Sequence, residues 1–279
     1  MSIPRTLVDN VISVGAIDWD RELFDELIPL PDGTSYNAYI VQGSEKTVLI
    51  DTVDPAKSEF LIDNLEGIDG LETIDYIVAN HAEQDHSGSI PLMLEMYPDA
   101  KVICSDKCKP MLETHLLVEP EQIMVVKDGE ELSLGDKTLR FIYTPWVHWP
   151  ETMSTYLVED NILFSCDFFG SHLATSDLYV TDENHVIRGA KRYFAEIMMP
   201  FRSIIVKNME KIKDLDIAMI APSHGPVYDN PEIIIDAYYD WISDNVANEV
   251  VLPFISMHDS TRVMVDYFIS ALMERGITV

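Results

Sequence analysis

Six consecutive residues, His81-Ala82-Glu83-Gln84-Asp85-His86, carry two imidazoles and two carboxylates. Imidazole nitrogen and carboxylate oxygen together are ligands for a borderline or hard divalent metal. At alternating and adjacent positions the four groups cannot all face one ion easily. Two ions, one on each side of the segment, fit the crowding better. A solvated polar turn is the bland alternative, and residues further along weigh against it. Three later segments repeat one pattern, an apolar run and then a polar residue. Phe141 to Val147 leads to His148, Ile162 to Cys166 leads to Asp167, and Ile217 to Ser223 leads to His224. Each alone is more often an ordinary loop residue than a ligand. With the first four they bring the set to seven.

These groups need strands to deliver them. Asp75 to Ala79 is a short apolar run that reads as a buried strand, and Ile90 to Met96 reads as a helix with Pro91 in its first turn. The first cluster therefore sits on a loop after a strand, where a scaffold commonly places chemistry. Residues 5 to 17 and 36 to 51 read as strands, with a hairpin-like connection at Gln42 to Lys46. Asp51 closes its strand and could hold a neighbouring loop. Pro55 to Leu65 reads as a helix and Lys101 to Cys104 as a strand, after which Ser105 could cap a helix. Further strands are read at 123–126, 139–143, 154–158, 162–165 and 217–220. Ala190 to Leu215 reads as mostly helix, interrupted near Pro200, and Pro231 to Asn245 as a helix. Two sheets facing each other, with helices outside, would bury these runs.

The motif His81-x-Glu83-x-Asp85-His86, followed by His148, Asp167 and His224, resembles the metal motif of the flavodiiron proteins, a branch of the metallo-β-lactamase superfamily. Most of that superfamily has His where Glu83 stands. The resemblance covers roughly residues 1–246, including Gly33 to Tyr39 and Arg192-Tyr193-Phe194-Ala195. It implies an α/β (α+β) fold, an αββα sandwich with the metal site at one edge. It also implies two iron ions, shuttling between ferrous and ferric states and bridged by an oxo, hydroxo or peroxo group. One would be held by His81, Glu83 and His148, the other by Asp85, His86 and His224, with Asp167 between them. In the family the His at the position of His86 is not always bound to metal. The chemistry of Glu83 agrees with iron: an extra anionic oxygen stabilises the higher charge of an oxidised ion, which favours iron over zinc. Tyr193 could offer a hydroxyl near bound oxygen, whereas His172 reads as a surface or structural residue. Trp146 and Trp149, flanking His148, read as packing that keeps the site dry. Many relatives have a His in the segment matching Leu23-Phe24-Asp25, and none stands here.

From residue 247 the character changes. Glu249 to Ile255 reads as a strand, Ser256 to Thr261 as a loop and Arg262 to Arg275 as a helix. This resembles the opening of a flavodoxin, so residues 247–279 are expected to form a short flavodoxin-like β-α stub. Asp259 stands where the family usually has Gly, and its carboxylate would repel a phosphate. The chain also stops about 100 residues short of a usual flavodoxin, so no FMN is expected. The apolar helix residues Val263, Met264, Tyr267 and Phe268 call for cover, from the main domain or a second copy. The resemblance implies a homodimer.

The formal net charge of -29 argues against nucleic acid or an anionic membrane as partner, since both need a basic face. No apolar run approaches the roughly 18 residues of a membrane span. The amino terminus, Met1-Ser2-Ile3-Pro4-Arg5, lacks the regions of a signal peptide, so the cytoplasm is expected. Cys104, Cys108 and Cys166 read as ordinary reduced thiols. Four functions fit in descending order. The first is a dioxygen-binding (or nitric oxide-binding) di-iron sensor with a signalling partner. The second is a dioxygen or nitric oxide reductase fed by a separate redox protein. A zinc hydrolase comes third, and a remnant binding module last.

Overall fold

Strand periodicity divides the apolar residues between two cores. In Val48-Leu49-Ile50, Leu49 points to one face while Val48 and Ile50 point to the other; Ile77 and Val78 split the same way, as do Val102 and Ile103. Side chains alternate across a strand, so a sheet with both faces apolar must be covered on both. The structure, a computed structural model, describes residues 3–24 and 26–279. Met1, Ser2 and Asp25 lie outside the described residues.

The strands are β1 (Arg5–Val8), β2 (Val11–Ser13), β3 (Ala16–Asp18), β4 (Leu23–Phe24), β5 (Ile28–Pro29), β6 (Thr34–Tyr36), β7 (Tyr39–Gln42), β8 (Thr47–Ile50), β9 (Tyr76–Val78), β10 (Lys101–Cys104) and β11 (Ile123–Val125). They continue with β12 (Glu131–Ser133), β13 (Thr138–Tyr143), β14 (Met153–Leu157), β15 (Ile162–Cys166) and β16 (Met219–Pro222). The helices are α1 (Ser58–Glu66), α2 (Gln84–Ser87), α3 (Ile90–Met96), α4 (Cys108–His115), α5 (Glu183–Tyr193), α6 (Arg202–Ile212), α7 (Glu232–Trp241) and α8 (Ser260–Met273).

Among the described residues, one sheet runs β1-β2-β7-β8-β9-β10-β11 and the other β12-β13-β14-β15-β16. From β8 to β11 the pairs are parallel. Parallel neighbours need crossovers, which α1, α3 and α4 supply. Leu61 of α1, Ile90 and Met93 of α3 and Leu112 of α4 meet the outer face of this sheet at Ile40, Leu49, Ile77 and Val102. Between the sheets, Ile50, Val78 and Ile103 meet Phe141, Leu157 and Phe164. The result is the αββα sandwich that the apolar runs call for.

Several elements differ in detail from the expectation. Residues 5–17 form three short strands rather than one. The helix expected from Ala190 begins at Glu183, where the Asp182 carboxylate caps it by accepting from His185 N at 3.0 Å. Around Pro200 the helix passes through a π turn (Phe194–Met198) and a 3-10 turn (Met199–Phe201), because proline has no N–H for the ladder.

The chain divides into two compact units, Met1–Tyr238 and Tyr239–Val279. In the second, Glu249 to Ile255 is not a strand. Only Glu249 pairs, by a single parallel bridge to Thr278, with Val250 N donating to Thr278 O at 2.8 Å. A lone segment has no neighbours to satisfy its row of backbone groups. Val251, Ile255, Val263, Met264 and Tyr267 are exposed. Asp259 sits in the left-handed region with φ 58° at the start of α8, and its side chain makes no capping hydrogen bond. No helix among the described residues is long and apolar enough to cross a membrane.

Candidate metal centre

Carboxyl ends of strands from both sheets meet at one edge of the sandwich. β9 delivers His81, β15 delivers Asp167 and β16 delivers His224; the turn after β13 delivers His148. The first cluster is not an open loop. Its second half, Gln84 to Ser87, is the single helical turn α2, which carries Asp85 and His86. Chain reversals just past strand ends are sharp. Asp51, Trp146, Cys166 and Phe169 have φ between 53 and 70°, a left-handed conformation that costs a side chain of the order of 1–3 kcal/mol and gathers at functional sites.

All seven expected ligand residues come together. His81 Nε2 lies 3.1 Å from Glu83 Oε2 and 3.3 Å from Asp167 Oδ2. His148 Nε2 lies 2.9 Å from Glu83 Oε2 and 3.5 Å from Asp167 Oδ2. On the other side, His86 Nε2 lies 3.0 Å from Asp167 Oδ1 and 3.4 Å from Asp85 Oδ1. His224 Nε2 lies 3.3 Å from both Asp85 Oδ2 and Asp167 Oδ1. Within each of two groups the donor atoms lie within 4.8 Å of one another: His81, Glu83, His148 and Asp167 in one, Asp85, His86 and His224 in the other. Asp167 faces one group with each of its oxygens.

The electrostatics are those of ligands held close together. Burial works against a proton on His81, yet the hydrogen bonds to Glu151 and Glu83 win, so its imidazole titrates well above its ordinary range. His224 is likewise opposed by burial and raised by Asp167 and Asp85, to about 10. Burial alone would raise Asp167, but the imidazoles of His86 and His224 hold it well below the usual carboxylate range. Protons here stand where cations would. Among the described residues, Asp85 Oδ1 and Oδ2, Asp167 Oδ2 and His224 Nε2 are buried with ion-pair approaches of 3.3–3.5 Å but no well-formed hydrogen bond. Convergent lone pairs left without donors are costly unless a cation meets them, and the mixed nitrogen and oxygen set suits iron or zinc. Cys166 Sγ also lies within 4.8 Å of His86 and Asp167 ligand atoms. Burial pushes its thiol well up in the metal-free protein. Cys104 and Cys108 are free and buried.

Surrounding residues orient this set. Tyr193 is buried and donates to Asp167 Oδ1 at 2.8 Å, and burial with Asp167 beside it holds the phenol protonated. His172 is not on the surface. It packs at 4.7 Å from the His224 ring and 4.8 Å from Tyr193, with Thr34 Oγ1 2.9 Å from its Nδ1. Burial and the neighbouring His224 keep it neutral. Phe24 packs on it at 5.0 Å, and Asp25 lies outside the described residues. Trp149 packs edge-on to His81 at 5.1 Å. Trp146 is partly exposed and stacks on Phe201 at 5.3 Å instead. Asp51 accepts from Asn80 N at 2.8 Å and from Asn80 Nδ2 at 2.9 Å, which ties the His81 loop to β8.

One residue escaped the sequence reading. Glu151 is buried, and its Oε1 lies 2.7 Å from His81 Nδ1. The signal was available, since a ligating imidazole needs a partner on its second nitrogen and Glu151 follows His148 by three residues. An open cleft of about 680 Å³ runs along Trp19, Arg21, Asp32 and Leu173. None of the seven ligand candidates lines it.

A family model described as ODP family beta lactamase matches residues 34–225. The nitric oxide reductase of Moorella thermoacetica is 36% identical over 285 residues, covering 100% of this chain and 71% of that protein. The structure of rubredoxin oxygen:oxidoreductase from Desulfovibrio gigas superposes with a TM-score of 0.93 at 30% identity, covering 99% of this chain and 70% of the other. The flavodiiron protein of Giardia intestinalis superposes with a TM-score of 0.89 at 29% identity, covering 100% and 69%.

Proposed function

The chain belongs to the flavodiiron protein family, with its metallo-β-lactamase-like fold, and from that premise we propose that it is a non-haem di-iron protein that binds dioxygen or nitric oxide and passes electrons to it. The carrying observation is Asp167, whose two oxygens face two separate groups of ligand atoms. His81, Glu83 and His148 would hold one iron, and Asp85, His86 and His224 the other, with Asp167 shared. Bound iron supplies the redox chemistry that none of these side chains has.

The chain's own part is electrostatic and positional. Glu83, Asp85 and Asp167 place three carboxylates against the charge of two metal ions, which suits an oxidised pair. Glu83 in place of an imidazole weighs against a zinc hydrolase, because zinc has no redox chemistry and is well served by neutral nitrogen. Tyr193 fixes the rotation of the Asp167 carboxylate through its hydroxyl. His172 and Trp149 exclude water from the cluster, which strengthens each charge interaction inside it.

Names of relatives supply the substrate class: nitric oxide for the Moorella protein and oxygen for the Desulfovibrio one. Sensing and reduction need the same centre and differ in how fast electrons reach it, which the choice of redox or signalling partner sets. The test loads the protein with ferrous iron without air and adds dioxygen or nitric oxide, with and without a reducing protein. Repeated gas consumption with the reductant is expected of a reductase. A long-lived coloured adduct that the reductant leaves unchanged would assign the protein to sensing. His148→Ala and Asp167→Ala are expected to abolish either response. Gas binding that survives both substitutions, or zinc content with hydrolytic activity, would overturn the proposal.

A further inference from the structure

Three buried imidazoles of the cluster differ in what meets their far nitrogen. His81 Nδ1 faces the Glu151 carboxylate at 2.7 Å, and both side chains are fully buried. His224 Nδ1 faces a neutral acceptor, the carbonyl of Ser35, also at 2.7 Å. His86 Nδ1 has no hydrogen-bond partner among the described residues. The Ala82 N–H lies 3.0 Å from His81 Nδ1 and 3.1 Å from Glu151 Oε1. In the neutral, ligand form of His81 a proton on Nδ1 donates to Glu151 Oε1 and the Ala82 N–H donates to the same oxygen, and its approach to Nδ1 is then a contact between two donors that share that acceptor. His81 Nε2 is thereby left with its lone pair turned toward Glu83 and Asp167. The reverse tautomer would set a lone pair against a buried carboxylate.

Glu151 is itself fixed. Its carbonyl accepts from Ser105 Oγ at 2.7 Å, and that hydroxyl in turn accepts from Cys108 N at 3.2 Å. Its turn is tied to the β9 loop by Met153 N donating to Asn80 O at 2.9 Å. The backbone of Glu151 is thus held between the ends of β10 and β14, and the carboxylate is met through Oε1 by His81 Nδ1 and Ala82 N, while Oε2 has no hydrogen-bond partner among the described residues.

We propose that Glu151 is the positioning residue that makes the two metal positions unequal, by fixing and charging His81 so that the His81–Glu83–His148 position binds the first metal more tightly than the other position binds the second. This rests on the two-metal reading above. A hydrogen bond to a charged acceptor is roughly twice as strong as one to a neutral acceptor. It makes the imidazole a more basic ligand and adds a negative charge behind it. The position holding His86 has no such support and is the looser one.

The test titrates metal-free protein with ferrous iron under argon against a competing chelator, and records the Mössbauer spectrum of the loaded state. The wild type is expected to bind two equivalents of unequal affinity. Glu151→Ala is expected to weaken the tighter equivalent by about 10–100-fold and leave the other unchanged, which erases the difference between them. Glu151→Gln keeps the acceptor oxygen and the shape without the charge, and guards against misfolding of the alanine variant. It is expected to retain both irons while the spectrum of one iron alone shifts. Equal weakening of both equivalents, or no change in either variant, would overturn the inference and leave the two-metal reading intact. A wild type that binds a single equivalent would overturn the two-metal reading, and the inference with it.

Discussion

Asp167 turns Oδ2 toward His81 and His148 and Oδ1 toward His86, His224 and the Tyr193 hydroxyl. In the metal-free protein this concentration of ion pairs has a consequence for stability. His224 is opposed by burial but raised by Asp167 and Asp85 to about 10, against about 6.5 for an unfolded histidine. A group whose folded value is raised contributes stability that is complete below its unfolded value and is lost as pH rises through the folded one. Asp167 shifts the other way: its contribution is present above the unfolded carboxylate value of about 3.9 and is lost as pH falls through its depressed one. The midpoint of urea denaturation of metal-free protein is therefore expected to fall as pH rises from about 7 to about 10. Iron loading should invert that trend, because each imidazole gives up its proton to bind and metal affinity rises with pH. A midpoint in the metal-free protein that rises over that alkaline range would contradict the assigned ion pairs.

At the scale of elements, the site depends on where strands stop. His224 sits one residue before Gly225, whose φ is +82° and whose added Cβ would lie 2.1 Å from Ser171 Oγ and 2.9 Å from Ser171 O. Gly225→Ala therefore meets both an unfavourable backbone region and a clash. It is expected to cost about 1–3 kcal/mol in denaturant unfolding and to lower iron affinity by displacing His224; wild-type values in both measurements would show that the turn does not position the ligand. Much of this layer was legible in the sequence. The apolar runs before His148, Asp167 and His224 survive in the fold as β13, β15 and β16, and the ligand types name the chemistry. What stayed hidden depends on contacts between distant segments. Glu151 reads as one of many surface acids until β9 and the β13–β14 turn are brought together. His172 reads from sequence as a surface or structural residue, and nothing local decides between the two, because Phe24 and Tyr193, which pack against it, are distant in the chain. Glu249 to Ile255 has strand composition but, among the described residues, pairs only through a single bridge to Thr278, and composition cannot count neighbours.

For the whole molecule, the layered sandwich followed from the number and spacing of apolar runs, since a sheet with Leu49 on one face and Ile50 on the other must be covered on both, here by helices over Leu49 and by the second sheet over Ile50. A fold does not by itself select a reaction; under the proposed function the donor set does, through Glu83 and the shared Asp167. A crystal structure of protein purified and loaded with iron without air, with anomalous scattering recorded across the iron absorption edge, tests this most directly. The account predicts two iron peaks of comparable height, one among His81, Glu83 and His148 and one among Asp85, His86 and His224, with Asp167 between them. A single peak, peaks placed away from these seven residues, or a zinc signal in their place would contradict it.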